Sequence, residues 1–439
     1  MIPIEHKRNK KVFVVGLGLS GISAARALIL GGAIVLAWDD DRLTRKANKS
    51  IPGLIIVSPD DADFTDIDVV VLSPGIPLNF PVPHKVVNLA RNNNISIIGD
   101  IQLFMDELVY RKYNNKVIMV TGTNGKSTTA SLINHLLECL GKNVELGGNI
   151  GSKSVLEFSL PKEDTVYIIE ISSYQIELSP RIRPNIAILL NITPDHLDRH
   201  SNLQNYAKIK FSIFKNQNNQ DYAIIGQKSD LILEHMKNTD IKSRVCILEE
   251  ENQKKFVQED GQLYDQNYLA SILTMETLGY KFDKFVKFFK SYKSLRHRVE
   301  RIKIVKKIEF INDSKSTNAD AAKYALSLFN NIYWILGGIQ KDDGISNITN
   351  SFKNVRKAYL IGSSAHSFKE VLTNNGIESV IVNKLDKAVE QSIHDANISG
   401  ITSTILFSPA CSSFDQYKNF EIRGDEFCNL VRKLSRELI

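Results

Sequence analysis

The sequence predicts an α/β protein made of three successive modules, each a largely parallel sheet flanked by helices. Three observations carry this. Short apolar runs alternate with helix-period segments along most of the chain, the pattern that parallel sheets produce. Two of these runs feed Gly-rich turns that open onto helices: KVFVVGLGLSGISAARAL near the N-terminus, and VIMVTGTNGKSTTASLINHLLECL further on. At 439 residues the chain exceeds one ordinary core, so two or three domains are expected. The expected division is a Rossmann-like parallel sheet over residues 1–98, a central P-loop ATPase-like α/β domain over 99–297, and a Rossmann-like α/β domain over 298–439.

Composition narrows the class. Charged and apolar fractions are those of a soluble globular chain. A formal charge of +6, dispersed over this length, is mild; it suits anionic substrates and does not argue for nucleic acid. The four cysteines form no CxxC pair, which suits a reducing compartment and offers no zinc site. The polar start MIPIEHKRNKK shows no signal peptide, and no apolar run reaches the ~18 residues of a membrane span. A cytoplasmic protein without a membrane or nucleic-acid partner is expected.

In the first module Gly16, Gly18 and Gly21 match GxGxxG, and the next strand, AIVLAWDD, brings Asp39 to the distance where an acidic residue often meets a ribose. Alone, this reads as dinucleotide binding and a dehydrogenase. Any nucleotide or sugar nucleotide with a diphosphate uses the same helix N-terminus. The module ends by Ile98, too early for a second mononucleotide half, so one diphosphate-bearing ligand is expected. A third strand, IDVVVLSPGIP, ends in Ser73, Pro74 and Gly75, where open α/β sheets bind ligands.

The second Gly-rich turn is a phosphate cradle. Val117 to Val120 read as a buried strand, and helix N-terminal N–H groups face the anion. Gly122, Thr123, Asn124, Gly125, Lys126, Ser127 and Thr128 form the loop; Lys126 reaches terminal phosphates and Ser127 reaches Mg²⁺. The common spacing wants a glycine where Val120 stands, and the loop starts at Gly122 instead. Glu170 lies inside the apolar run DTVYIIEISSYQIE, where a carboxylate is costly unless paired or on a metal. A P-loop neighbour of this kind commonly helps hold Mg²⁺. ELGGNIG places Asn149 in a polar loop beside the phosphates, and NITPDHLDRH delivers Asp195, His196 and Asp198 past a strand end. Lys208 and Lys210 follow on a short helix. Residues 226–266 carry no motif and read as a peripheral strand or two. QNYLASILTMETLGY then forms a helix, and LRHRVERI closes the domain.

In the last module NDSKSTN crowds Asp313, Ser314, Lys315 and Thr317 into one strand-to-helix turn with Asn318 as N-cap. Such a turn binds a carboxylate through the lysine charge and helix N–H groups. Lys341 sits at the tip of the loop after NIYWILGG. Ser412, Ser413, Phe414 and Phe420 flank the final loop, either as N-cap and core aromatics or as the wall of a small-substrate pocket.

Taken together, GLGLSG, LSPGIP, GTNGKST, GGNIG, EISSYQIE, NITPDHLDRH, HRVE, NDSKSTN, LGG with Lys341, and SPACSSFDQYKNFEIRGDEF appear in order over nearly the whole chain. In this it resembles the Mur ligase family, and the last motif resembles the member that uses D-glutamate. The resemblance implies ATP-dependent amide-bond formation between UDP-MurNAc-L-alanine and D-glutamate through an acyl phosphate, in cytoplasmic peptidoglycan precursor synthesis. It implies that Leu19, Ser20, Asp39, Gly75 and Asn149 bind the UDP substrate. Gly122 to Thr128 with Asn267, Arg298 and Asp313 would bind ATP. Lys315, Thr317, Lys341, Ser413, Phe414 and Phe420 would bind D-glutamate. Lys126, Glu170, His196 and Lys210 are the implied catalytic residues. Two Mg²⁺ ions are implied, on Ser127, Glu170, His196 and Lys210, the lysine serving as a CO₂-derived carbamate because an ammonium is no ligand. A monomer is expected.

One departure stands out: the family shows HNxxN where this chain has Gln266, Asn267, Tyr268, Leu269, Ala270, so a second Asn contact to the nucleotide is missing. The alternatives are a sister ligase with another acceptor, an NAD-dependent oxidoreductase from GxGxxG alone, and a non-catalytic nucleotide-binding module.

Overall fold

The computed structural model describes residues 1–151, 153–162, 164–226, 229–248, 265–341 and 344–435. Its strands form three sheets, each Val/Ile/Leu-rich as burial on both faces requires. The chain divides into two compact units, Met1–Tyr292 and Lys293–Ile439, and the first holds two of the sheets.

The first sheet contains β1 (Lys11–Val15), β2 (Ile34–Trp38), β3 (Leu54–Ile56), β4 (Val69–Leu72) and β5 (Ser96–Ile98). They run parallel in the order β3-β2-β1-β4-β5. The order reverses beside β1, whose Gly-rich exit leads into the helix Leu19–Leu30. Gly21 is obligatory there: a Cβ would lie 1.7 Å from the Gly16 carbonyl oxygen and 2.8 Å from Ser73 Oγ.

The second sheet contains β6 (Lys116–Thr121), β7 (Val144–Gly148), β8 (Val166–Glu170), β9 (Ile186–Leu189), β10 (Tyr222–Ile225) and β11 (Arg244–Ile247), in the order β11-β10-β9-β6-β8-β7 and parallel throughout. Of the peripheral strand or two expected over residues 226–266, β11 at the sheet edge falls there, preceded by the helix Asp230–Asn238; residues 227–228 and 249–264 lie outside those described. One apolar core runs from Ile2 to Ile232 through both sheets of this unit. Phe104, on the helix Asp100–Tyr110, meets Phe158 and Tyr167 edge-on with centroids 5.7 and 5.0 Å away.

The second unit has β12 (Glu300–Val305), β13 (Ile308–Asn312), β14 (Ile332–Gly337), β15 (Val355–Ile361), β16 (Glu378–Asn383) and β17 (Ser403–Phe407) in the order β12-β13-β17-β14-β15-β16. All pairs are parallel except the β12–β13 edge hairpin. LRHRVERI, expected to close the central domain, runs into β12 and belongs to this third sheet. Apolar clusters cover both faces, with Trp334 in one and Phe407 stacked on Phe427 in the other. Among the described residues, no helix is long and apolar enough to cross a membrane.

Replacing Gly21 with Ala forces the helix Leu19–Leu30 off β1. A loss of about 1–3 kcal/mol is expected from the overpacking. Chemical denaturation of the full chain in a Trp334→Phe background, read through Trp38 at the end of β2, measures it.

Candidate active site

The strands β8, β6 and β9 are adjacent and parallel, so their C-terminal ends deliver three loops to one edge. β6 ends in the loop Gly122–Gly125, where Gly125 has φ 86°, and the helix Lys126–Cys139 follows. Lys126 Nζ donates to the carbonyls of Gly122 (3.0 Å) and Thr123 (2.7 Å), curling over its own loop. The Ser127 hydroxyl donates to Glu170 Oε2, and Asn149 Nδ2 donates to Oε1 at 3.2 Å. Glu170 is thereby satisfied at the end of β8 although it is 1% exposed. Asn267 Oδ1 accepts from Thr129 Oγ1 on the P-loop helix at 3.2 Å. Ala270, at the place of the expected second Asn, is fully buried in the apolar core.

Lys210 comes from the helix Leu203–Phe211 and is 1% exposed. Its Nζ donates to the Gly122 carbonyl (2.9 Å), the acceptor Lys126 also uses, and lies 4.6 Å over the Tyr206 ring. Burial, and next the Lys126 ammonium, push its pKa well below the ordinary lysine value; Asp195 and Glu170 oppose this. His196 has φ 57° and places Nε2 3.6 Å from Asp195 Oδ2. Asp195 is buried, Asp198 exposed.

Sequence reasoning passed over His200. Its ring packs between Tyr174 and Tyr206, both at 5.2 Å, and bonds Ser173 Oγ at 2.9 Å. Burial, then His196 and Lys210, lower its pKa to about 4, so it is neutral at pH 7. A histidine in DHLDRH carries no mark in the sequence that separates this packing role from a ligand role.

Around the GxGxxG loop, Asp39 accepts from the backbone N–H of Leu17 (2.6 Å) and of Asp41 (2.9 Å), so it shapes the loop. Leu19 is half exposed at the helix start. Ser20 hydrogen-bonds Asp100, whose pKa burial raises. The Gly75 carbonyl accepts from Arg199 Nη1 at 2.9 Å, which ties the loop after β4 to DHLDRH. These N-terminal and central residues share the first unit; Arg298, Asp313, Lys315, Thr317, Lys341, Ser413, Phe414 and Phe420 lie in the second.

Within the second unit the turn after β13 is tightly held. Asp313 Oδ2 accepts from Ser408 Oγ (2.7 Å) and Oδ1 from the Val299 N–H (3.2 Å). Burial raises its pKa to about 7 against these bonds. Asn318 caps the helix Ala319–Ser327 by accepting from Ala321 N–H at 2.9 Å. Lys315 Nζ sits 3.8 Å over the Phe420 ring. Ser413 is buried, Thr317 and Lys341 are half-buried, and Phe414 is 71% exposed, which excludes it from the core. Arg423 went unnoticed in the sequence. It is 1% exposed and donates to Ser314 Oγ (3.1 Å) and to the carbonyls of Ser314 (2.8 Å) and Cys411 (3.0 Å).

A Gly-rich strand-to-helix turn in the first sheet, a P-loop in the second with Ser127 and Glu170 joined beside it, and a third, largely parallel sheet fit one class: the chain belongs to the Mur ligase family. The Mur ligase middle domain matches residues 120–288, and the MurD-like Mur ligase N-terminal domain matches 10–99. The chain is 39% identical to the UDP-N-acetylmuramoylalanine--D-glutamate ligase of Agrobacterium fabrum, over 99% of this chain and 97% of that protein. It is 37% identical to the ligase of the same name from Caulobacter vibrioides, over 99% and 98%. Among solved structures, MurF from Acinetobacter baumannii matches with TM-score 0.61 at 15% identity, over 98% of this chain and 93% of that one. MurF from Thermotoga maritima in complex with ADP matches with TM-score 0.59 at 16%, over 100% and 98%.

Asp313 predicts a pH effect. Its folded pKa of about 7 lies above the usual 3.8, so the folded state holds this proton more tightly. The resulting stability is full below about pH 4 and is lost as pH rises toward 7, at up to ~1.4 kcal/mol per pH unit. Asp313→Asn removes that slope. Urea unfolding read through Trp334 in a Trp38→Phe background, from pH 4 to 8, measures it; an unchanged slope assigns the proton elsewhere.

Proposed function

We infer that this chain is the enzyme that adds D-glutamate to UDP-N-acetylmuramoyl-L-alanine with consumption of ATP, a step of peptidoglycan precursor synthesis. The observation that carries the reading is 37–39% identity over 99% of the chain to ligases of that name, together with an intact P-loop, Ser127, Glu170, His196 and Lys210.

In this reading Gly122 to Thr128 hold the ATP phosphates by backbone N–H groups, and Lys126 exchanges its two loop carbonyls for phosphate oxygens. The adjoining hydroxyl of Ser127 and carboxylate of Glu170 are hard oxygen donors and fit Mg²⁺. His196 and Lys210 fit a second ion only if Lys210 carries CO₂ as a carbamate, which requires the neutral amine that its burial favours. Ser127 and Glu170 would hold a Mg²⁺ ion whose charge would offset that of the transferring phosphoryl group. Asn267 is assigned to the nucleotide as well, and so, in the second unit, are Arg298 and Asp313. Leu19, Ser20, Asp39, Gly75 and Asn149 orient the UDP substrate.

The substrate carboxylate oxygen attacks the γ-phosphorus, the bond to ADP breaks, and an acyl phosphate forms. The D-glutamate amine then attacks the acyl carbon, the C–O bond to phosphate breaks with its electron pair going to the departing phosphate, and the nitrogen gives up a proton to solvent. Lys315, Thr317, Lys341, Ser413, Phe414 and Phe420 bind D-glutamate in this assignment, the lysines meeting its carboxylates. The protein's contribution is positioning and charge neutralisation.

Phosphate release from ATP with UDP-MurNAc-L-alanine is expected to require D-glutamate and to fail with L-glutamate or L-alanine. Release with a different acceptor moves the chain to a sister ligase, and none with any acceptor overturns the site assignment. Lys210→Ala is expected to lose at least ~100-fold in kcat and to recover partly with added short-chain carboxylates that replace the carbamate; full activity without them makes Lys210 a packing residue.

A further inference from the structure

The exit of β9 presses directly on the P-loop. Leu190 N–H donates to the Thr121 carbonyl at 3.0 Å, and Thr123 N–H donates to the Asn191 carbonyl at 2.9 Å. The Asn191 side chain goes further and grips one P-loop residue by both backbone groups. Its Oδ1 accepts from Asn124 N–H at 2.9 Å, and its Nδ2 donates to the Asn124 carbonyl at 3.1 Å. The same Nδ2 also donates to Gln266 Oε1 at 2.9 Å. Gln266 Nε2 in turn donates to the Leu190 carbonyl at 2.9 Å. Gly226 makes room for this, since a Cβ there would lie 2.1 Å from that carbonyl and 2.7 Å from Gln266 Nε2.

The two ends of this chain of bonds have no choice of role. The Leu190 carbonyl can only accept, so Gln266 must turn its NH₂ toward it and its oxygen toward Asn191. Asn191 then presents its own NH₂ to Gln266 and to the Asn124 carbonyl and its oxygen to Asn124 N–H, so Gln266 reinforces the one orientation that both Asn124 backbone groups accept. An amide side chain otherwise flips at little cost; here both are polarised from end to end. We propose that Gln266 is a positioning residue for nucleotide binding, which orients the Asn191 amide and through it the backbone of Asn124 in the phosphate loop. The proposal rests on the nucleotide reading above. It also assigns a role to a position where this chain departs from the family's usual residue.

The test uses the full chain, with ADP and Mg²⁺ titrated calorimetrically and steady-state kinetics run beside it. Gln266→Leu removes both bonds, and Gln266→Glu keeps the size but cannot donate to the Leu190 carbonyl when ionised. Both variants are expected to weaken ADP binding several-fold, to about tenfold, the scale of lost part-buried hydrogen bonds with an orphaned partner. KM for ATP is expected to rise while KM for D-glutamate stays within twofold, a split that a general loss of stability does not produce. In an Asn191→Leu background Gln266→Leu is expected to add less than twofold, because the intermediary is gone. Wild-type ADP affinity in both Gln266 variants, a parallel rise in both KM values, or a full additive loss in the Asn191→Leu background overturns the proposal. Wild-type protein that binds no ADP overturns the nucleotide reading itself, and this proposal with it.

Discussion

Everything around the P-loop depends on parallel registry at one sheet edge. β6 lies between β8 and β9 with all three running the same way, so their exits converge. An antiparallel neighbour would carry its exit to the other edge of the sheet. The convergence costs little at β6, whose loop is backbone and glycine. It is expensive at β8, which ends in a buried carboxylate, and on the neighbouring helix, which brings a buried lysine. The fold meets both demands with local hydrogen bonds: Ser127 and Asn149 on Glu170, the Gly122 carbonyl on Lys210.

How much of this was legible depended on how far a residue's partner lies along the chain. GTNGKST shows a strand, a loop and a helix start within a dozen residues, and each part has a local signature. Glu170 was visible because a charge inside an apolar run is a contradiction that demands a partner. Asn318 was visible because an N-cap binds its own helix. By contrast, Asn191 meets Asn124 and Gln266 at separations of 67 and 75 residues, and Arg423 meets Ser314 at 109. Nothing in NIT or IRG announces such partners.

The GxGxxG turn was legible as geometry and ambiguous as chemistry. It cradles any diphosphate, so a dehydrogenase and a sugar-nucleotide enzyme read alike there. Asp39, the residue that might have separated them, already binds the backbone of Leu17 and Asp41 and so is conformational as well. HNxxN posed the opposite difficulty. The expected motif drew attention to Ala270, which is fully buried, and not to Gln266, whose side chain bonds Asn191 and the Leu190 carbonyl.

Arg423 has a consequence for the second unit. Its guanidinium is enclosed, and the acceptors it reaches among the described residues are a hydroxyl and two carbonyls, all uncharged. Burial lowers its pKa only to about 10, so the charge persists at physiological pH. Asp415 and Asp313 favour that charge from a distance, and in a medium of low permittivity its field reaches through Ser314 to the neighbouring turn, where mobile counter-ions cannot follow. An exposed lysine loses its attraction for anions as salt is added. The potential that Arg423 lays on this turn is built into the interior and fades far less with ionic strength.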